Sequence, residues 1–145
     1  MFSLENAQSL LNQIAFAARC GVTVEALERG YVRMRMPFGP NGNHIGTMYA
    51  GAQFTLAELP GGLIALSSFD MGQFYPIVKT MNIEFKRPAS GDLITEVRLT
   101  EADIQAIEAQ ARSAGKADYG WLCELKDEAG QVVAQSQNLY QLRRR

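Results

Sequence analysis

Tyr49 to Gly62 reads YAGAQFTLAELPGG, and its only charged side chain is Glu58. The isolation extends further, because no other residue between Met48 and Leu66 is charged. A surface helix would return to polar residues every three or four positions. A helix apolar on every side has to be surrounded by other elements, and an acid within it needs a reason, because an unpaired buried charge is expensive. Both the fold and the function therefore turn on this segment.

The flanking sequence supplies the wrapping. Ser3 can cap a first helix whose apolar residues Leu4, Ala7, Leu11, Ile14 and Ala18 keep helical spacing, and Gly21 stops it. Val22–Leu27 and Tyr31–Met36 read as strands around Glu28-Arg29-Gly30. In the second, Val32, Met34 and Met36 alternate with Arg33 and Arg35, the pattern of a half-buried antiparallel strand. Pro37 to Thr47, rich in Pro, Gly and Asn, is expected to be irregular. Beyond the apolar helix, Lys79–Lys86 alternates as a strand, and Pro88 and Gly91 turn the chain into Leu93–Leu99. Thr100 and Asp103 open a helix near 101–114 with Ile104, Ile107 and Ala111 on one face. Tyr119–Lys126 and Val132–Leu142 form a last hairpin, leaving Arg143 to Arg145 as an expected frayed tail.

The expected class is α+β, one domain over residues 1–145: a curled antiparallel sheet of about five to six strands around a long central helix, with an N-terminal helix and the helix near 101–114 packed on it. With 145 residues, 47% hydrophobic and 20% charged, the chain has the composition of a soluble globular domain. A net charge of −1 gives no overall basic field for nucleic acid, and no apolar run has the length of a membrane span without breaks. The start MFSLENAQSL lacks the basic segment of a signal peptide. One histidine and two distant cysteines, Cys20 and Cys123, do not make a zinc site; they fit two inert thiols in a reducing cytoplasm.

A curled sheet around a central helix is the hotdog architecture, and Asn43 to Glu58 resembles the active-site stretch of hotdog-fold acyl-CoA thioesterases, especially the phenylacetate-pathway type. Those enzymes carry an Asn, then His-Gly-Gly, then a carboxylate one helix segment later. Asn43, Gly51 and Glu58 match the Asn, the second Gly and the carboxylate, while Tyr49 stands for the His and Ala50 for the first Gly. The strand ending Ile83 to Pro88 is also similar to theirs. The resemblance implies hydrolysis of acyl thioesters, carried by CoA or acyl carrier protein, without a cofactor or metal. Glu58 would be the nucleophile or general base, the Gly51 N–H the carbonyl polariser, and Asn43 the group that orients water or substrate.

The residue types suit that chemistry. Thioester hydrolysis needs a carbonyl polariser and a base or nucleophile, and a helix start offers free N–H groups at a positive dipole end. His44, Tyr49, Phe54, Lys86 and Arg87 are the expected substrate contacts: a turn histidine, two aromatic walls and two cations for the carrier's phosphates. Structural readings stand beside these, with Asn43 a turn residue, Glu58 a core carboxylate and the two aromatics core side chains. Two other functions remain open on sequence: a catalytically silent acyl-binding module, and a hydratase or dehydratase of enoyl thioesters. An open sheet edge calls for a twofold homodimer, with stacking into a homotetramer as a further expectation.

Overall fold

The computed structural model describes residues 2–145. In chain order its elements are α1 (Leu4–Gln13), α2 (Ala15–Cys20), β1 (Thr23–Glu28), β2 (Tyr31–Met36), a 3₁₀ turn (Gly39–Asn41), α3 (Ala50–Ser68), β3 (Phe74–Phe85), β4 (Leu93–Arg98), α4 (Glu101–Ala114), β5 (Lys116–Lys126) and β6 (Val132–Arg144). The six strands form one antiparallel sheet in the order β1-β2-β4-β5-β6-β3, which leaves β1 and β3 as open edges. Pro76 in β3 is tolerated because its missing N–H falls on an edge strand.

The apolar run is α3, and the sheet curls so that every strand touches it. Around the helix Leu56, Ala57, Ile64 and Ala65 are fully buried. From the sheet Val32, Met34, Met36, Leu93 and Leu125 close over it. The alternation in β2 has the expected result. Its methionines point to α3, and Arg33 and Arg35 lie outside, both paired with Glu25 across the strand pair. The helix α4 fills one open end of the curl, where Ile104, Ile107 and Ala111 pack with Ala65, Phe69, Phe74 and Leu142. Its start is a complete capping box between Thr100 and Asp103. Between β4 and β5 the ladder shrinks to Ile94 opposite Lys126, and the Thr95 hydroxyl crosses the seam to Glu124 O at 2.9 Å.

Four expectations change. The N-terminal helix is not continuous, because Ile14 leaves helical geometry at φ −84°, ψ 101°. The break rotates the buried face, so Ala17 and Cys20 point inward while Ile14 and Ala18 are exposed. No Gly or Pro marks it; small Ala17 lets α2 lie close to the core. The Pro/Gly-rich loop contains the short 3₁₀ turn and a bridge between Gly42 and Met48. The strands β3 and β5 begin earlier than alternation suggests, at Phe74 and Lys116. The C-terminal arginines are tied down: β6 continues to Arg144 opposite Phe74, Arg144 donates to Arg112 O at 2.8 Å, and Arg145 donates to Met71 O and lies over the Tyr75 ring. The early start of β3 provides the partner that holds them.

A glycine sets the closest approach of helix to sheet. A Cβ built on Gly61 would lie 2.2 Å from Tyr140 Cε1, so only Gly allows the β6 tyrosine to lie flat against α3. Gly61→Ala is expected to destabilise the fold by about 1–3 kcal/mol through overpacking. Urea unfolding should show a lowered midpoint at unchanged m-value.

Candidate functional site

The start of α3 is fixed by its preceding loop. The buried Asn41 amide donates to Cys20 O and Pro37 O, and the Met48 and Tyr49 N–H groups donate to Ala89 O and Asn41 O at 2.8 Å each. Asn43 works within the loop. Its Oδ1 accepts from the Ile45 and Thr47 N–H groups at 3.0 Å, and its Nδ2 donates to Thr47 Oγ1 at 2.8 Å. The turn reading of Asn43 thus holds, and one amide hydrogen remains beyond these bonds.

At the helix start Ala52 and Gln53 donate to Tyr49 O, and no side chain caps the end. The Ala50 and Gly51 N–H groups come before any carbonyl the helix offers them. Gly51 has a second task that its sequence context does not reveal: a Cβ there would lie 2.5 Å from Tyr49 Cε1, because the tyrosine ring folds back over it. Tyr49 is 58% exposed, so the core reading of this residue is wrong.

Glu58 lies further along α3, in the wall of an apolar groove of about 420 Å³. Phe54, Thr55 and Leu59 share its side of the groove, Ile14 at the break between α1 and α2 joins Phe16 and Ala17 of α2, and β3 contributes Val78 to Met81. The large apolar side chains Ile14, Phe16, Phe54 and Val78 are 42 to 51% exposed, so Phe54 is groove wall and not core. The strand side is irregular, with the register of β3 against β6 shifting between Val78 and Thr80. Such bulges re-aim side chains and are frequent beside active sites. The titratable groups facing Glu58 are Lys79 from β3, whose ammonium is 3.3 Å from Asp118, and Tyr140 from β6; α2 presents none. Burial alone raises the Glu58 carboxyl above the usual carboxylate range. No ion pair or side-chain hydrogen bond is made by Glu58 among the described residues, so the reading of Glu58 as a satisfied core carboxylate also fails.

Asn43 lines a different pocket, of about 390 Å³, with Gln53, Phe85, Lys86 and Arg87. The N–H groups of both Lys86 and Arg87 donate to Val133 O, which fixes the end of β3 beside it. Gln53 is buried; its Nε2 donates to Met48 O, and its Oε1 has no partner among the described residues. The fold thus brings Asn43 together with Lys86 and Arg87, and Phe54 together with Glu58, in two pockets that share no residue. Gly51 and Tyr49 lie at the helix start between them, and His44 is exposed on the loop. The sequence reading missed the α2 wall, the β3 bulge and Gln53. Ile14 and Phe16 carried one signal, as bulky apolar residues at positions that no single helix face accommodates together.

Comparison with known proteins places this geometry. The family described as a domain of unknown function (DUF4442) matches residues 7–140. A crystal structure from Pseudomonas aeruginosa, PA5026, a protein of unknown function described as a probable thioesterase, is 53% identical and covers 99% of this chain and 97% of its own, with a TM-score of 0.95. A Chlorobaculum tepidum protein of unknown function is 13% identical over 98% of this chain and 94% of its own, with a TM-score of 0.83. The thioesterase HI1161 from Haemophilus influenzae is 16% identical over 99% and 92%, with a TM-score of 0.76. At such identities the last two establish a shared fold, which is the hotdog fold expected from the sequence. No curated protein matches the chain.

A raised carboxyl affects stability as well as chemistry. Because the folded-state value of Glu58 lies above the unfolded one, its contribution is fully present below the unfolded value of ~4.3 and is lost as pH rises through the raised value. At neutral pH the ionised carboxylate therefore opposes folding. Glu58→Gln, which keeps the shape and removes the charge, should match or exceed the wild-type Tm at pH 7, with the gap closing toward pH 4. Calorimetry at the two pH values measures it.

Proposed function

The chain belongs to the DUF4442 family and has the hotdog fold, and on that premise we propose that it hydrolyses thioesters of apolar acyl groups to free acid and thiol. The observation that supports this best is Glu58, a carboxylate without an ionic partner set in an apolar groove. Such a group is unfavourable for folding and useful in chemistry, because burial brings its basicity closer to neutral pH. The acyl chain occupies the groove. Ionised Glu58 either attacks the thioester carbon or takes a proton from the water that does. The C–S bond then breaks, and the thiolate leaves to be protonated; after direct attack, water hydrolyses the acyl–Glu58 anhydride, which frees the acid and restores the carboxylate.

Polarisation of the carbonyl is assigned to the Gly51 N–H, with that of Ala50 beside it, at the positive end of α3. Asn43 directs its remaining amide hydrogen to the water or the thioester. Lys86 and Arg87 meet the phosphates of the carrier, and the unpartnered Gln53 Oε1 accepts from an amide N–H such as a pantetheine arm carries. His44, Tyr49 and Phe54 border the substrate. Residues 1–145 act as one domain, and the buried free thiols Cys20 and Cys123 suit a cytoplasmic setting.

The site is composite in this proposal. Seven residues of α-helix separate Gly51 from Glu58, about 10 Å along the axis, too far for one carbonyl to meet both in the same chain. The long β3 edge, with Val78 and Phe85 exposed along it, pairs with its counterpart in a twofold dimer and sets the two α3 helices antiparallel. Asn43 and Gly51 of one protomer then face Glu58 of the partner subunit. Two such dimers stack where a tetramer forms.

Hydrolysis of acyl-CoA with thiol detection tests the activity. Glu58→Ala should lower kcat about a hundredfold or more in a folded protein, and wild-type turnover in that variant sinks the assignment. The acid limb of the kcat/KM profile should have its midpoint above ~4.3, since ionised Glu58 is the active form. Asn43→Ala and Glu58→Ala, refolded together, should recover roughly a quarter of wild-type activity through hybrid dimers that each hold one intact site. Activity no higher than the parental average, with hybrids confirmed, places the site within one chain.

A further inference from the structure

Inside the curl, β6 presents a run of polar side chains where a core would be apolar: Ser136, Asn138 and Tyr140 are each no more than 2% exposed. Their hydrogen bonds run in one direction, toward α3. Ser136 Oγ donates to Asn138 Oδ1. Asn138 Nδ2 donates to Ala57 O at 2.9 Å and to the Tyr140 hydroxyl at 3.0 Å, using both amide hydrogens. The Tyr140 hydroxyl donates to Glu58 O at 3.3 Å. Burial raises the Tyr140 phenol, so it remains a donor.

The bonds reach α3 at its weakest point. Pro60 has no N–H for Leu56 O, and its ring crowds that turn. One residue later Gly61 lets the Tyr140 ring lie against the helix, where it also stacks with Tyr119 at 5.7 Å between centroids and meets a tilted Trp121 at 4.8 Å. The main chain at Ala57 and Glu58 is thus gripped from the sheet where the helix's own ladder is interrupted. The two residues that grip it also pair across β6 and β3 with the groove wall, Asn138 opposite Met81 and Tyr140 opposite Val78.

From this geometry we infer that Asn138 and Tyr140 are positioning residues for Glu58: they fix the α3 backbone at the proline break and so set how deeply the Glu58 carboxyl enters the groove. They touch no substrate. A mere core-filling role would be served better by apolar side chains, since a buried polar network is favourable only when every member is satisfied and its geometry has a use. The inference rests on Glu58 as the reactive carboxylate.

Tyr140→Phe keeps the ring and removes the donor to Glu58 O, and Asn138→Leu removes the donor to Ala57 O at similar volume. With octanoyl-CoA as the probe, each should lower kcat about tenfold with KM within about twofold. The Glu58 carboxyl, followed by ¹³C NMR titration and by the acid limb of kcat, should move about half a pH unit or more toward the ordinary range as water reaches it. Ser136→Ala, one hydrogen bond beyond Asn138, should move it less. Ile104→Ala serves as a control: this cavity in the α4 core should lower Tm without moving the titration. If Asn138→Leu does not fold, Tyr140→Phe decides alone. An unchanged Glu58 titration in folded Tyr140→Phe overturns the inference, as does an equal shift in Ile104→Ala. Full turnover of Glu58→Gln removes Glu58 as the reactive carboxylate and this inference together, whereas an inactive Glu58→Gln beside an unperturbed Tyr140→Phe removes the positioning role alone.

Discussion

The structure depends on the burial of α3. A helix from Ala50 to Ser68 with apolar or small residues on all sides cannot rest on a flat surface, because one face would remain wet. A single antiparallel sheet solves this by curling, and its inward positions deliver Val32, Met34, Met36, Leu93 and Leu125 to the helix. Secondary features follow from the same demand. The curl leaves an end open, which α4 fills. It leaves the sheet unclosed, so β1 and β3 remain edges. The β4–β5 seam keeps a single ladder pair, beside which the Thr95 hydroxyl bonds to Glu124 O.

Several polar groups in this interior tie backbone segments together. Asn41 ties the loop before α3, Asn138 and Tyr140 hold the helix at its proline, and Ser68 receives the Gly30 N–H at 2.9 Å. Each is satisfied, as a low-dielectric interior requires. Glu58 and the Gln53 carbonyl, which lie in pocket walls, find no partner among the described residues, and neither do the buried Tyr119 hydroxyl and Trp121 Nε1. The surface charges follow ordinary rules. The Arg33, Arg35, Glu25 and Glu96 network decorates the outer face of β1, β2 and β4, and exposed pairs of this kind add little stability.

Part of the exposed apolar surface is concentrated as well. Ile14, Phe16, Phe54 and Val78 gather around one groove, while Tyr49 and Ile45 lie near the other pocket. Exposed large apolar side chains on a protein surface are ordinarily scattered singly, and here they are grouped. The break at Ile14 belongs to the same economy: it turns Ala17 inward and leaves Ile14 and Phe16 as the outer wall of the groove. No Gly or Pro ends the helix there, so the cause lies in packing.

The sequence alone determined the class of fold, the central helix, the capping box at Thr100 and Asp103, the alternation of β2 and the isolation of Glu58. These are local properties: capping acts over three residues, strand patterning over two, and the apolar run is visible as a run. The lengths of β3, β5 and β6 were not legible, because a strand ends where its partner ends. The ordered C-terminal arginines were missed for that reason. The inward ladder of Ser136, Asn138 and Tyr140 was also hidden, since polar residues in alternation read as an outer face until their partners on α3 are known. Tertiary structure alone decided that Asn43 and Glu58 open into separate pockets, and that the bare Cα of Gly51 makes room for the Tyr49 ring. Both are matters of distance between residues whose spacing along the chain is the same in any fold.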